Sequence, residues 1–424
     1  MPDSARSPRI NPERLQTLLD GVNAFGRSAE TGGFNRLAFS DADMAVRQWF
    51  GEEMWASGLS VRTDGAGNLF GRFGPPDGPA VMAGSHLDTV RDGGAFDGAL
   101  GVCVALESVR ALRDAGTEPA FAIEVVATSD EEGRFGGMLG SQAITGRIDR
   151  NWIENAVDAD GMKLTQAMAA QNMDPMHILD AAWLPGSIRA FLELHVEQGP
   201  VLEARGEPVG IADSVSGICH WQVTLTGIAN HSGTTPMDMR ADAFAGLAEI
   251  AAAIPTVIRK AGSRQARVTI GRVRLFPDYP HTIPGKAVFN LVIRDTDDAG
   301  MKAMEQTFEA LTADVAARHG LRLTVDGMGR LPPVALDSRI AALIETEATR
   351  LGLACSRMSS GAGHDAQTMQ SMCPSGLIFV PSRAGISHAP QEWTDRAAIE
   401  KGAGLYLAVL CRLTESGSFA ITSA

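Results

Sequence analysis

Three short apolar runs, Ala80–Ala83, Phe121–Ala127 and Phe191–Leu194, each lead directly into a polar cluster. Helical segments such as Leu100–Arg113 separate them, and strands alternating with helices predict an α/β domain built on a largely parallel sheet. In such sheets functional groups collect at the carboxyl edge, where strands end and loops begin. Here Ser85-His86-Leu87-Asp88 follows the first run, Asp130-Glu131-Glu132 the second, and His195 closes the third.

The flanking sequence fills in the architecture. Asn11-Pro12 reads as an N-cap with proline at the first helical position, and Leu15, Leu18, Leu19, Val22 and Phe25 then recur at helical spacing. A second helix is expected from Ser40, with Val46, Trp49 and Phe50 on one face and Gly58 ending it. From about Ile211 to Asp326 the texture changes to alternating strand-like stretches, Gln222–Thr226, Val268–Phe276 and Ala287–Ile293, with two long helices starting near Asp238 and Asp297. The α/β pattern resumes with a helix at Ile340–Leu351 and a strand at Leu377–Val380. The expected fold class is therefore α/β: a mostly parallel-sheet domain, residues 1–211 and 327–424, interrupted by a smaller α+β domain at 212–326.

Composition removes several functions. Lys and Arg number 37 against 50 Asp and Glu, a formal net charge of −13, which repels phosphate backbones and anionic membrane surfaces. Neither nucleic acid nor a membrane is an expected partner. The start of the chain is polar and proline-punctuated, and the most apolar helical stretch, Phe244–Ile254, carries Glu249, so neither a signal peptide nor a membrane span is expected. The 5 cysteines are odd in number and form no C-x-x-C pair, which indicates neither a disulfide framework nor a structural zinc cluster and fits a cytoplasmic protein.

The polar clusters have the make-up of a metal site. Asp88 lies two residues after His86, where its carboxylate could hold the imidazole N–H, and Asp97 sits in a glycine-rich turn just before a helix. Adjacent Glu131 and Glu132 would repel each other if both were desolvated, unless a cation neutralises one of them. One glutamate can then bind metal while the other takes a proton from the attacking water, as hydrolysis requires. Carboxylate and imidazole ligands suit zinc, manganese or cobalt. His177 and His319 stand in ordinary helix-like surroundings and read as structural.

Seven strings together, Gly84-Ser-His-Leu-Asp-Thr-Val, Gly94-Ala-Phe-Asp-Gly, Asp130-Glu-Glu-Gly-Arg-Phe, Glu193-Leu-His-Val-Glu-Gln-Gly-Pro, Asn230-His-Ser-Gly-Thr-Thr-Pro-Met, Gly361-Ala-Gly-His-Asp-Ala and Gly385-Ile-Ser-His, resemble the dimetal amidohydrolases of the hydantoinase/carbamoylase group, within the M20 metallopeptidase superfamily. That group includes N-carbamoyl-L-amino acid hydrolases, β-ureidopropionases and allantoate amidohydrolases. The resemblance implies a pair of divalent cations, zinc first and manganese, cobalt or nickel as alternatives. His86 and His195 would hold one and Glu132 and His388 the other, with Asp97 bridging and Asp88 behind His86. Glu131 would be the general base. Gln198, His231, Arg294, Gly363 and His364 would contact a small-molecule substrate, with His231 reaching across the interface of a homodimer formed by the inserted domain to stabilise an oxyanion. Hinge closure near residues 211 and 327 would bring Arg294 onto the metals, where its guanidinium offers a fork for a substrate carboxylate.

One position departs from the group. His281 stands where asparagine is usual before Ile283-Pro284-Gly285, although the interval to Arg294 is kept. A protonated imidazole there would favour an extra negative charge on the substrate. The expected activity is hydrolysis of a linear ureido or amide C–N bond in a carboxylate-bearing substrate such as an N-carbamoyl-L-amino acid. Allantoate, or an N-acyl amino acid or dipeptide, is the alternative.

Overall fold

The computed structural model describes residues 7–417. The chain divides into two compact units, one comprising residues up to Asp213, Leu336–Met358 and from Gly363 onward, the other Ser214–Ala335 and Ser359–Ala362.

In the first unit the sheet runs, edge inward, Ser60–Thr63, Leu69–Phe73, Ala122–Thr128, Ala80–His86, Ile188–Val196, Ser375–Val380 and Val209–Val215. Four neighbours in the middle, Ala122–Thr128, Ala80–His86, Ile188–Val196 and Ser375–Val380, pair in parallel. The flanking strands Leu69–Phe73 and Val209–Val215 pair antiparallel. The α/β reading with a mostly parallel sheet thus describes the chain. Ala80–His86, Ala122–Thr128 and Ser375–Val380 are buried along their whole length, which is why they read as apolar runs without alternation. Helices Ala99–Asp114 and Arg396–Thr414 pack on the parallel strands, and Leu100, Val104, Leu192, Leu194, Tyr406 and Leu410 join one core cluster. Each such fully buried aliphatic side chain contributes about 1.5–3 kcal/mol. Asn11 and Ser40 cap the first two helices, Pro12–Val22 and Asp41–Ala56, with side-chain oxygens accepting backbone N–H groups.

Gly84 is dictated by close approach. A Cβ there would lie 1.9 Å from the carbonyl oxygen of Val126, so only glycine lets the two site strands pair at that level.

The second unit is an antiparallel sheet, in order Val273–Phe276, Lys286–Asp295, Gly217–Thr226 and Arg322–Leu331. Gly217–Thr226 and Lys286–Asp295 alternate buried and part-exposed residues, the pattern of a sheet covered on one face. Helices Ala243–Ala261 and Asp298–Arg318 pack against it, and Val223, Leu225, Ile250, Phe289 and Phe308 share its core.

Two sequence expectations are corrected here. Val268–Phe276 is not one strand but two, Arg267–Thr269 and Val273–Phe276, because the Asn290 side chain accepts the N–H groups of Gly271 and Arg272 and bends the chain between them. The helix expected near Asp238 begins at Ala243, capped by Asp242, while Met237–Met239 forms a single 3-10 turn tied down by Arg240 bonds to Ser232 and Thr235. Among the described residues, no helix is long and apolar enough to cross a membrane.

Candidate active site

The carboxyl ends of three neighbouring parallel strands bring the predicted groups together. His86 ends its strand, His195 lies one residue before the end of its own, and Glu131 and Glu132 follow Thr128. The loop to Glu131 turns at Asp130, a residue with φ of 50° whose carboxylate accepts the N–H groups of Arg134 and Phe135. Asp97 precedes the N-cap Gly98 of the helix Ala99–Asp114, and a Cβ on Gly98 would fall 2.4 Å from the His86 ring.

Asp97 is the centre of the cluster. Its Oδ1 lies 3.3 Å from His86 Nε2 and 3.2 Å from His195 Nε2, while its Oδ2 lies 3.4 Å from His388 Nε2. His388 Nε2 is also 3.3 Å from Glu132 Oε2. Two donor groups result, His86–Asp97–His195 and Asp97–Glu132–His388, each with its ligand atoms within 4.8 Å of one another. Glu131 belongs to neither: its Oε2 is 3.6 Å from His86 Nε2, and its side chain is only 8% exposed. His388, 47% exposed, is the open member.

The remaining ring nitrogens are committed to the backbone, His86 Nδ1 to the Asp88 carbonyl at 3.0 Å and His195 Nδ1 to the Val196 carbonyl at 2.9 Å. Nδ1 therefore donates in both rings, and in the neutral ring it is Nε2, facing Asp97, that carries the lone pair. The expectation for Asp88 is thereby revised. Its main-chain oxygen holds the imidazole; its carboxylate stands 3.9 Å from that nitrogen and instead accepts the Glu132 N–H at 3.1 Å. The reason is spacing, since two residues past the strand end the chain has already turned and presents its carbonyl first.

The buried carboxylates call for positive charge beside them. Burial, reinforced by Asp365 and Glu132 and opposed by His86, holds the Glu131 carboxyl well above the usual range. Burial and then Asp97 push Glu132 up to about 7. His388 is raised to about 9, chiefly by its hydrogen bond to Asp97. Glu132 Oε1 is buried with no hydrogen-bond partner among the described residues. Desolvated carboxylates converging with imidazole nitrogens and an orphaned oxygen fit divalent metal, in a nitrogen and oxygen set suited to zinc or manganese. A third grouping, Glu193, His195 and His364, is different: both Glu193 oxygens are already engaged, by Ser85 Oγ at 2.7 Å and by the Ala366 N–H at 2.9 Å.

The expected substrate contacts fall in both units. Gln198, with φ of 57°, donates to Asp97 Oδ2 at 2.7 Å, and His364 packs its ring 4.6 Å from that of His195. Gly363, beside it, would put a Cβ 2.5 Å from the Met138 methyl. His231, His281 and Arg294 belong to the second unit. His231 pairs with Thr282 in a two-stranded ribbon, and its Nδ1 accepts the N–H groups of Gly233 and Thr234 at 3.0 and 3.2 Å, so Nε2 is the nitrogen left to donate. His281 packs edge-on to Tyr279, and Arg294 donates to the Gly361 carbonyl at 2.7 Å.

Sequence reasoning missed the supports. Glu392 accepts the N–H groups of both Phe96 and Asp97 and bonds Ser387, which in turn donates to Asp97. Nothing in Gln391-Glu392-Trp393 marks it out.

A buried carboxylate–imidazole cluster on the strand ends of an α/β sheet defines a hydrolase of the metal-dependent class. The chain belongs to peptidase family M20/M25/M40, whose sequence model matches residues 82–412. It is 35% identical to an N-carbamoyl-L-amino-acid amidohydrolase of Paenarthrobacter aurescens, over 95% of this chain and 98% of that relative. It is 34% identical to an allantoate amidohydrolase of Bacillus subtilis, covering 92% of this chain and 94% of the relative. In structure it is similar to a hydantoinase/carbamoylase family amidase of Burkholderia multivorans, with a TM-score of 0.89 and 30% identity over 96% of this chain and 99% of that one.

Proposed function

We propose that the protein hydrolyses the ureido C–N bond of a small carboxylate-bearing substrate, an N-carbamoyl-L-amino acid first and allantoate as the alternative. The observation that carries this is Asp97, shared at 3.2–3.4 Å by three imidazoles from separate segments of the chain. His86, His195 and Asp97 would hold one divalent cation and Asp97, Glu132 and His388 a second. Such cations polarise a carbonyl and acidify water when bound. Glu131 accepts the proton of the attacking water and returns it to the leaving nitrogen. His231 donates from Nε2 to the oxyanion, and Arg294 pairs with the substrate carboxylate. With water consumed, a carbamoyl amino acid gives the amino acid, carbon dioxide and ammonia.

The test is a substrate panel, N-carbamoyl-L-amino acids, allantoate and N-acetyl amino acids, run with zinc, manganese and cobalt and scored for both ammonia and released amino acid. Ammonia from a carbamoyl amino acid or allantoate is expected; turnover of the N-acetyl compounds alone would replace the ureido reading with an aminoacylase one.

The inserted unit is read as the dimerisation element. Ile228, Met237, Met239 and Phe244 are exposed near His231 in the chain, and the strand Arg322–Leu331 is exposed along most of its length, an arrangement that a second copy would cover. If His231 acts across that interface, mixing Glu131→Gln and His231→Ala proteins should restore activity, because a hybrid can hold one site with both residues intact. No recovery after verified subunit exchange would place the whole site within one chain.

A further inference from the structure

Arg47 comes from the helix Asp41–Ala56, upstream of the residues matched by the family's sequence model, and its side chain is 5% exposed. Its Nε donates to Asp43 Oδ1 at 2.8 Å. Nη1 donates to the Ala127 carbonyl at 3.1 Å and Nη2 to the Thr128 carbonyl at 2.7 Å, while Nη2 stands 3.7 Å from Asp88 Oδ1. Those contacts span the two segments on which the cluster depends. Ala127 and Thr128 end the strand that leads to Glu131 and Glu132; Asp88 receives the Glu132 N–H on its other oxygen and holds His86 through its carbonyl. Asp43 is itself fixed, accepting the Phe39 N–H at 2.8 Å.

We propose that Arg47, oriented by Asp43, is a positioning residue for the metal centre: its guanidinium holds the end of the Ala122–Thr128 strand by hydrogen bonds and Asp88 by charge at 3.7 Å, and so aims Glu132 and His86 at the cations. The inference rests on the reading of the centre given above. It requires a fork, because the carbonyls of Gly67, Ala127 and Thr128 and the carboxylates of Asp43 and Asp88 surround one cation, and a single ammonium cannot serve all of them at once. It also predicts a division of labour, since the residue touches no substrate and acts only through the ligands it orients.

Two variants test it. Arg47→Lys keeps the charge and loses the fork; Asp43→Asn with Arg47→Gln removes both charges together, so that neither is left buried alone. Zinc affinity of the metal-free protein is measured by chelator competition, with kcat, KM and melting of the metal-free protein alongside. Both variants are expected to bind zinc roughly 10–100-fold more weakly and to lose kcat by a similar factor, with KM within about threefold of the parent. Arg47→Lys leaves buried carbonyls unpaired and is expected to melt lower than the parent yet stay folded at the assay temperature in the metal-free state, so that weaker zinc binding there reads aiming and not unfolding. Zinc affinity and kcat within about threefold of the parent in Arg47→Lys would overturn the proposal, whatever the double variant does. Glu132→Ala is the control: zinc binding as tight as in the parent there would overturn the reading of the centre instead.

Discussion

Glu131→Gln is expected to lower kcat by roughly two to four orders of magnitude, the range for loss of a positioned general base, with metal content unchanged. The amide keeps the size and one oxygen of the side chain but cannot take a proton from water. Metal content is expected to hold because Glu131 stands outside both donor groups. Among the described residues its one ion pair is with His86, at 3.6 Å. Stability is expected to hold as well, since the substitution removes a carboxyl that burial disfavours in its charged form. Elemental analysis and a steady-state assay decide the matter together. Activity within tenfold of the parent would mean that another group is the base, whereas lost activity with lost metal would make Glu131 a ligand.

The second large effect belongs to Asp97. Asp97→Ala removes the one carboxylate that His86, His195 and His388 share, and leaves the Gln198 amide and the Ser387 hydroxyl without their shared partner. On the proposed reading, in which each donor group holds a cation, both are expected to be lost together, and activity to fall at least as far as in Glu131→Gln. His388→Ala should differ: it disturbs only the group containing Glu132 and spares His86 and His195. Metal titration separates the outcomes. An Asp97→Ala protein retaining both metals would show that the carboxylate does not bridge. An Asp97→Ala protein losing only as much metal as His388→Ala would confine its role to one side.

What the sequence disclosed was set by how local each signal is. The parallel strands were legible because burial on both faces leaves an apolar run, and their ends located His86, His195, Glu131 and Glu132. Asp97 stands out by its glycine-rich turn before a helix and His388 by lying a few residues past a buried strand, but their parts in the cluster come only from the motif strings, since neither lies on a strand and each reaches the cluster through loop geometry. Glu392, Arg47 and Asp43 went unnoticed because the partners that tie them to the site are backbone N–H and carbonyl groups, which every residue carries. The division of Val268–Phe276 was hidden for the same reason: one distant amide side chain, that of Asn290, breaks a stretch whose own residues favour a continuous strand. Asp88 was placed correctly in the chain, yet which of its oxygens meets His86 depends on a turn that spacing does not encode.

The order of the central sheet carries a consequence for biosynthesis. Ser375–Val380 occupies the slot between Ile188–Val196 and Val209–Val215, pairing with both. A nascent chain halted before that segment has a gap in the middle of its sheet, with two strands bare along facing margins. Topological closure therefore waits until most of the polypeptide has left the ribosome, and premature termination products should be targets for chaperones and proteases rather than independently folded fragments.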